Sequence, residues 1–268
     1  MLKHRVITGA VGVPIIILVI WFGHPWFTLL IAAAALAASY EFYRMADFRF
    51  RDPLLCLGLL FTLALVLSSH YKNADLLPAV ITAAILISLI SLLRRPSRET
   101  AFRNWAWTMA GAIYVGWMLS YWPNLRGLES GRAWVYLAML TTFANDTAAF
   151  FVGRAKGKHK LLPAVSPSKT LEGAIGGLLS SIVAAVIIAT VLSRLGQLRT
   201  FQYWQIILLG FLVSIFAQLG DLVESLLKRN MGVKESGNLL PGHGGVLDRF
   251  DSLIFVGAVV YCYAIWVM

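Results

Sequence analysis

At 268 residues, with 59% hydrophobic and 13% charged residues, the chain lies outside the range of soluble globular domains, about a quarter of whose residues are charged. Its net charge of +10 would suit nucleic acid, but in so apolar a chain it reports loops beside anionic lipid, and no nucleic-acid partner is expected. Cys56 and Cys262 both lie inside apolar runs, so neither a disulfide framework nor a zinc site is indicated and both read as packing residues.

A membrane-crossing helix needs roughly 20 mostly apolar residues. Nine stretches qualify: residues 6–22, 26–45, 54–70, 76–93, 105–122, 133–153, 171–195, 201–219 and 246–268. The start, with Lys3, His4 and Arg5 ahead of an apolar run, resembles a secretion signal, but a second run follows at once without a cleavage site, so an uncleaved first span is expected. Gly23, His24 and Pro25 between the first two runs predict a tight turn and a helical hairpin. With the N-terminus inside, all but five of the 23 Lys and Arg residues fall on the inner side, the exceptions being Lys72, Arg126, Arg132, Arg194 and Arg199. That asymmetry predicts an all-α, polytopic integral membrane protein of nine spans, N-terminus cytoplasmic and C-terminus outside. Residues 1–125 read as a five-span scaffold. Residues 126–268 read as a four-span catalytic region with cytoplasmic loops at 153–170 and 220–250.

The first half offers little chemistry. Glu41 and Arg44 fall where a helix leaves the membrane and read as a surface ion pair. The basic cluster 94–103 is explained by the positive-inside rule. Trp105, Trp122, Trp134, Tyr203 and Trp204, near span ends, suit an interfacial belt. The small residues 32–38 suit helix pairing, including pairing into a homodimer.

The sixth span carries Asn145 and Asp146 in an otherwise apolar helix. A charged residue there costs roughly 2.5–3.5 kcal/mol on insertion scales and is a functional candidate. Next comes GRAKGKHKLLPAVSPSKTLEGAIGG, residues 153–177. Its end, Ser168–Lys169–Thr170, opens the seventh helix, whose N–H groups and dipole would face the cytoplasm as an anion site. Thr170 also reads as an N-cap with Glu172 in the first turn, and Gly173, Gly176 and Gly177 as close-packing residues. Neither nucleotide-binding glycine fingerprint, the P-loop nor the strand-led G-x-G-x-x-G, occurs anywhere.

The eighth span runs into Asp221, Glu224, Ser225 and Lys228, spaced i, i+3, i+4 and i+7 on one helix face. The following block, SLLKRNMGVKESGNLLPGHGGVLDRFD (residues 225–251), holds four basic residues, three acids, one His and five Gly. Asp248 and Asp251, one turn apart, can face one hard cation, which takes carboxylate oxygens and completes its shell with water and phosphate. Each is also a favourable acid at a helix N-terminus. His243 is a site candidate because glycines flank it and let backbone approach a ligand. The block reads as a metal- and phosphate-handling site at a membrane surface.

Residues 225–251 closely resemble the signature of the phosphatidate cytidylyltransferases, or CDP-diacylglycerol synthases. Asn145–Asp146, Gly153–Arg154 and Ser166–Pro167–Ser168–Lys169–Thr170–Leu171–Glu172–Gly173 resemble that family's other patterned region. One departure is that Glu235 stands where the pattern usually has Asp, which shifts the charge by one methylene.

The resemblance implies reaction of CTP with phosphatidic acid to give CDP-diacylglycerol and pyrophosphate, with one or two Mg²⁺ ions and room for a monovalent cation. On it, Asp221 and Asp248 coordinate metal, with Asp146 and Asp251 as further or supporting ligands. Lys169, Lys228, Arg229, Lys234 and Arg249 neutralise triphosphate and lipid phosphate, and His243 contacts phosphate or orients a ligand. Asn145, Arg154, Ser166, Ser168, Thr170, Glu172, Ser225, Gly244 and Gly245 complete the expected substrate contacts. A CTP-dependent polyprenol or phytol kinase is the near alternative and a transporter the distant one. A short inside-positive chain fits a bacterial inner membrane with its active site facing the cytoplasm.

Overall fold

The computed structural model describes residues 2–48, 52–71, 75–93, 99–198, 201–239, 242 and 244–267, with backbone alone at 2–9 and 11. Arg49, Arg51, Lys72, Arg94, Arg95, Arg98, Arg199, Pro241 and His243 lie outside the described residues, as do the side chains of Lys3 and Arg5. The described chain is nearly all helix. In order come α1 (Leu2–Phe22), α2 (Trp26–Met45), α3 (Pro53–Ser68), α4 (Leu76–Leu92) and α5 (Ala101–Gly111), which passes through a π-helical stretch (Ala112–Trp117) into α6 (Met118–Arg126). Then follow α7 (Gly131–Lys156), strands β1 (Lys160–Leu162) and β2 (Ser166–Thr170), α8 (Leu171–Arg194), α9 (Tyr203–Asn230) and α10 (Leu247–Trp266). Five of these, α2, α7, α8, α9 and α10, are long and apolar enough to cross a bilayer.

The chain forms two compact units. One comprises residues 1–124 and 235–250, the other residues 125–234 and 251–268.

In the first unit, Phe61, Leu65, Ala84, Met109 and Ala112 form a buried cluster, with Leu77, Ile81 and Trp105 packed against it. Side-chain hydrogen bonds join these helices, as a hydrocarbon environment favours. The Tyr43 hydroxyl donates to the Thr108 carbonyl at 2.9 Å, and Trp105 Nε1 donates to Ser88 Oγ at 2.8 Å. Ala32, Ala35 and Ala38 are buried within this unit, where they pack inside the chain. Trp122 and Trp134, expected in an interfacial belt, are instead buried in their own units at 2% and 6% exposure, whereas Tyr203 and Trp204 are exposed. Cys56 is exposed on α3 and so is not a packing residue, and Cys262 is partly exposed.

In the second unit, α7 packs on α8 and α8 on α9. A Cβ at Gly176 would come within 2.7 Å of Val152, and one at Gly177 within 2.8 Å of Asn145 Oδ1, so these glycines do permit the close α7–α8 approach. Ser181 Oγ donates to the Gly210 carbonyl at 2.7 Å, joining α8 to α9.

The stretch between α7 and α8, read from sequence as a loop, contains an antiparallel hairpin pairing Lys160 with Thr170 and Leu162 with Ser166. Its turn is closed by Val165 N–H donating to the Leu162 carbonyl at 3.1 Å. That places Pro163 at the second turn position, which its fixed φ favours. The alternation that marks a strand is missing because Pro, Ser and Lys occupy β2, a strand with a free edge where Pro is tolerated.

Candidate active site

The second unit gathers polar residues of α7, β2 and α9, with Gly173 and Ala174 of α8, around a cavity of about 620 Å³. Asp146, Arg154, Ser168, Lys169, Gln218 and Asp221 all line it. Each element delivers its side chain for a local reason. Thr170 caps α8, its Oγ1 accepting the Gly173 N–H at 3.2 Å, and this fixes Lys169, the residue before it, at the helix mouth. Glu172 accepts the backbone N–H groups of Lys158 (3.0 Å) and His159 (3.2 Å), and His159 Nδ1 lies 2.6 Å from it. The acid in the first turn therefore ties the hairpin base to α8.

Helix α9 does not stop at the apolar run but continues to Asn230, carrying the acidic stripe on regular helix. Asp221, Glu224 and Asp251 offer carboxylate oxygens that all lie within 4.8 Å of one another. Lys169 Nζ sits 2.6 Å from Asp221 Oδ2, and Lys228 Nζ sits 2.5 Å from the fully buried Glu224. Three carboxylates thus face two ammonium groups, a residual negative charge that suits a cation. Oxygen-only donors are what hard divalent cations take, so the residues fit a metal of that class. Asp146 is within electrostatic reach of Asp221 and Lys169, and its own side chain is exposed.

Asn145 is the hub behind this face and is fully buried. Its Oδ1 accepts from Ser214 Oγ at 2.7 Å and Gln218 Nε2 at 3.4 Å, while its Nδ2 donates to Asp146 Oδ1 at 2.9 Å. Gln218 Nε2 also donates to the Ala174 carbonyl at 3.1 Å, reaching α8. A buried polar group stripped of its partner costs about 1–3 kcal/mol. Asn145→Ala is therefore expected to lower the Tm measured in detergent by several degrees. An unchanged Tm would mean that the network contributes nothing to holding α7 on α9.

Other sequence candidates fall around this centre. Ser225 Oγ lies 3.5 Å from Asp221 Oδ1. Exposed Arg229 donates to the Val165 and Val233 carbonyls at 3.4 and 3.3 Å. Ser166 is buried, while Arg154, Ser168 and Lys234 are exposed.

The first unit holds the rest of the signature. Asp248 Oδ2 accepts the backbone N–H groups of Ser236 and Gly245, both at 3.0 Å. Gly242 and Gly244 have φ of 78° and 82°, a left-handed conformation that glycine adopts freely. Arg249 is exposed.

Glu41 departs from its expected place. It is 3% exposed and accepts from Ser236 Oγ (2.9 Å) and from the N–H groups of Val246 (3.0 Å) and Leu247 (2.9 Å). It is not a surface ion pair with Arg44, whose guanidinium instead reaches the Phe48 carbonyl at 3.4 Å.

Sequence reasoning placed Gln218 and Glu224 on the polar stripe that ends the eighth span without giving either a site role, and it passed over Ser214 altogether. Helical spacing could have added Ser214, since 214, 218, 221 and 225 form one stripe on α9.

Bilayer-length helices around a cavity lined by Asp146, Asp221, Arg154 and Lys169 define an integral membrane enzyme built to handle anionic substrates. A sequence profile of the Cytidylyltransferase family matches residues 3–267, and the chain belongs to that family. The phosphatidate cytidylyltransferase of Bacillus subtilis (strain 168) is 36% identical over 264 residues, spanning 97% of this chain and 96% of its own. That of Brucella suis biovar 1 is 34% identical over 263 residues (98% and 93%). That of Staphylococcus haemolyticus is 39% identical over 185 residues (69% and 67%).

Proposed function

We propose that this chain transfers the cytidylyl group of CTP to phosphatidic acid, giving CDP-diacylglycerol for phospholipid synthesis and releasing pyrophosphate. The observation that carries the reading is the convergence of Asp221, Glu224 and Asp251 with Lys169 and Lys228 in a member of the Cytidylyltransferase family.

In the reaction, a phosphate oxygen of phosphatidic acid attacks the α-phosphorus of CTP. The new P–O bond forms as the bond from that phosphorus to the oxygen bridging to the β-phosphate breaks, and pyrophosphate leaves with the electron pair. A lipid phosphate is already ionised near pH 7, so the protein supplies no general base. Its work is alignment and charge neutralisation.

Asp221, Glu224 and Asp251, with Asp146 beside them, would hold a divalent cation, for which we name Mg²⁺. When bound, such an ion polarises phosphoryl oxygens and neutralises their charge. Lys169 and Lys228 pair with the same carboxylates, so both ammonium groups become available to substrate phosphate once those oxygens are otherwise engaged. Arg154, Arg229, Lys234, His243 and Arg249 serve as further phosphate contacts, with Ser166, Ser168, Ser225, Gly244 and Gly245 nearby in sequence. Asp248 shapes the signature loop.

For topology we propose nine crossings, with α1, α3, α4 and the rod from α5 through α6 added to the five long apolar helices. The N-terminus is cytoplasmic, the C-terminus outside, and the site opens to the cytoplasm of a bacterial inner membrane. The Lys and Arg asymmetry supports this.

The test uses purified protein with phosphatidic acid, Mg²⁺ and CTP labelled in the cytidine. Label should pass into extractable lipid with one pyrophosphate per transfer. Label appearing as CDP, only when a lipid alcohol is supplied, would overturn the reading in favour of a lipid kinase.

A further inference from the structure

The first unit contains a buried carboxylate that the reaction does not use. Glu41, on α2, is in chain order about two hundred residues from the groups it binds. Its three partners span the signature loop, with Ser236 at one side and Val246 and Leu247 at the other. Leu247 opens α10, so Glu41 supplies to that helix, from another helix, the negative charge and the acceptors that a helix N-terminus favours. The loop closes tightly on it. A Cβ at Gly237 would lie 2.6 Å from Glu41 Oε1, and one at Gly245 would lie 2.5 Å from Glu41 Oε2 and also meet Ser236 Oγ. Asp248 fastens the same two sides from within, through the N–H groups of Ser236 and Gly245.

We infer that Glu41 is a positioning residue for cytidylyl transfer, holding the loop that carries Gly244, Gly245 and Asp248 and the first turn that carries Arg249. All three groups at Glu41 donate, so an acceptor-only carboxylate satisfies them. An amide would set its NH₂ against one of these N–H groups. The inference rests on the proposed function only in that the loop serves that reaction; the grip itself stands on geometry.

Glu41→Gln is the direct test, and Ser236→Ala, which removes one of the three donors, is the milder companion should the first fold poorly. Both would be compared with wild type for kcat, for KM with CTP and with phosphatidic acid, and for amide hydrogen exchange at residues 244–247. Glu41→Gln should lower kcat per folded enzyme at least about tenfold, with KM shifted less than about twofold, and exchange at Val246 and Leu247 should speed up about tenfold or more. Ser236→Ala should move the same readouts in the same direction by about two- to threefold. Wild-type kcat in folded Glu41→Gln, or unchanged exchange at those amides, overturns the inference whatever the Tm does. If the wild type shows no transfer at all, the functional reading fails separately. Exchange then decides alone, with unchanged protection refuting the grip and lost protection supporting it.

Discussion

Asp221→Asn is expected to lower kcat/KM for CTP about 10³-fold, a loss of about 4 kcal/mol in transition-state stabilisation. The side chain occupies two roles at once. It belongs to the carboxylate trio with Glu224 and Asp251, and its Oδ2 is the partner of Lys169 at 2.6 Å. The amide keeps the shape but removes the formal charge, leaving two carboxylates against two ammonium groups, and the residual negative charge that attracts a cation disappears. Raising Mg²⁺ should recover part of the activity, because weakened affinity is offset by mass action. The check is a Mg²⁺ titration of turnover in wild type and variant, with circular dichroism to establish equal helix content. Full activity at ordinary Mg²⁺ would remove Asp221 from the site.

The second large effect is expected at Lys169. Lys169→Met should cost about 10²-fold in kcat/KM, in the range seen when one preorganised charge-stabilising group is removed. Lys169 owes its place to the Thr170 cap, which fixes where α8 begins. Lys169→Arg keeps the charge but replaces a compact point charge with a planar fork, and should restore activity only in part. Because Lys169 and Asp221 act as one pair, the double variant Lys169→Met, Asp221→Asn should be little worse than Asp221→Asn alone, as is usual for residues that act as a unit. Losses that multiplied fully in a double-mutant cycle would show the two to be independent.

Much of this was legible in the chain because a bilayer imposes simple rules. The apolar run at 26–45 coincides with α2, and that at 171–195 with α8 to within one residue. The glycines at 173, 176 and 177 declared a close helix contact, and the motif residues declared their family. What stayed hidden depends on partners distant in sequence. Glu41 looked like a surface acid because nothing in residues 26–48 reveals that the N–H groups of Val246 and Leu247 will close over it. Glu224 looked like one member of a charged helix end because its burial follows from tertiary packing rather than from helical periodicity. Asp248 and Asp251 looked equivalent by spacing, yet Asp248 Oδ2 is engaged by two backbone N–H groups, while the Asp251 carboxylate reaches the α9 acids. The hairpin at 160–170 escaped because its strands are too short and too polar to alternate.

The central claim is that the carboxylate trio holds the cation required for cytidylyl transfer. The most direct measurement pairs a Mn²⁺ titration, read by electron paramagnetic resonance, with turnover under the same ion, in wild type and Asp251→Asn. The account predicts that wild type binds Mn²⁺ and moves the cytidine label into lipid, and that Asp251→Asn loses both while keeping its helix content. Transfer at the wild-type rate by Asp251→Asn, or Mn²⁺ binding unaffected by the substitution, would contradict it.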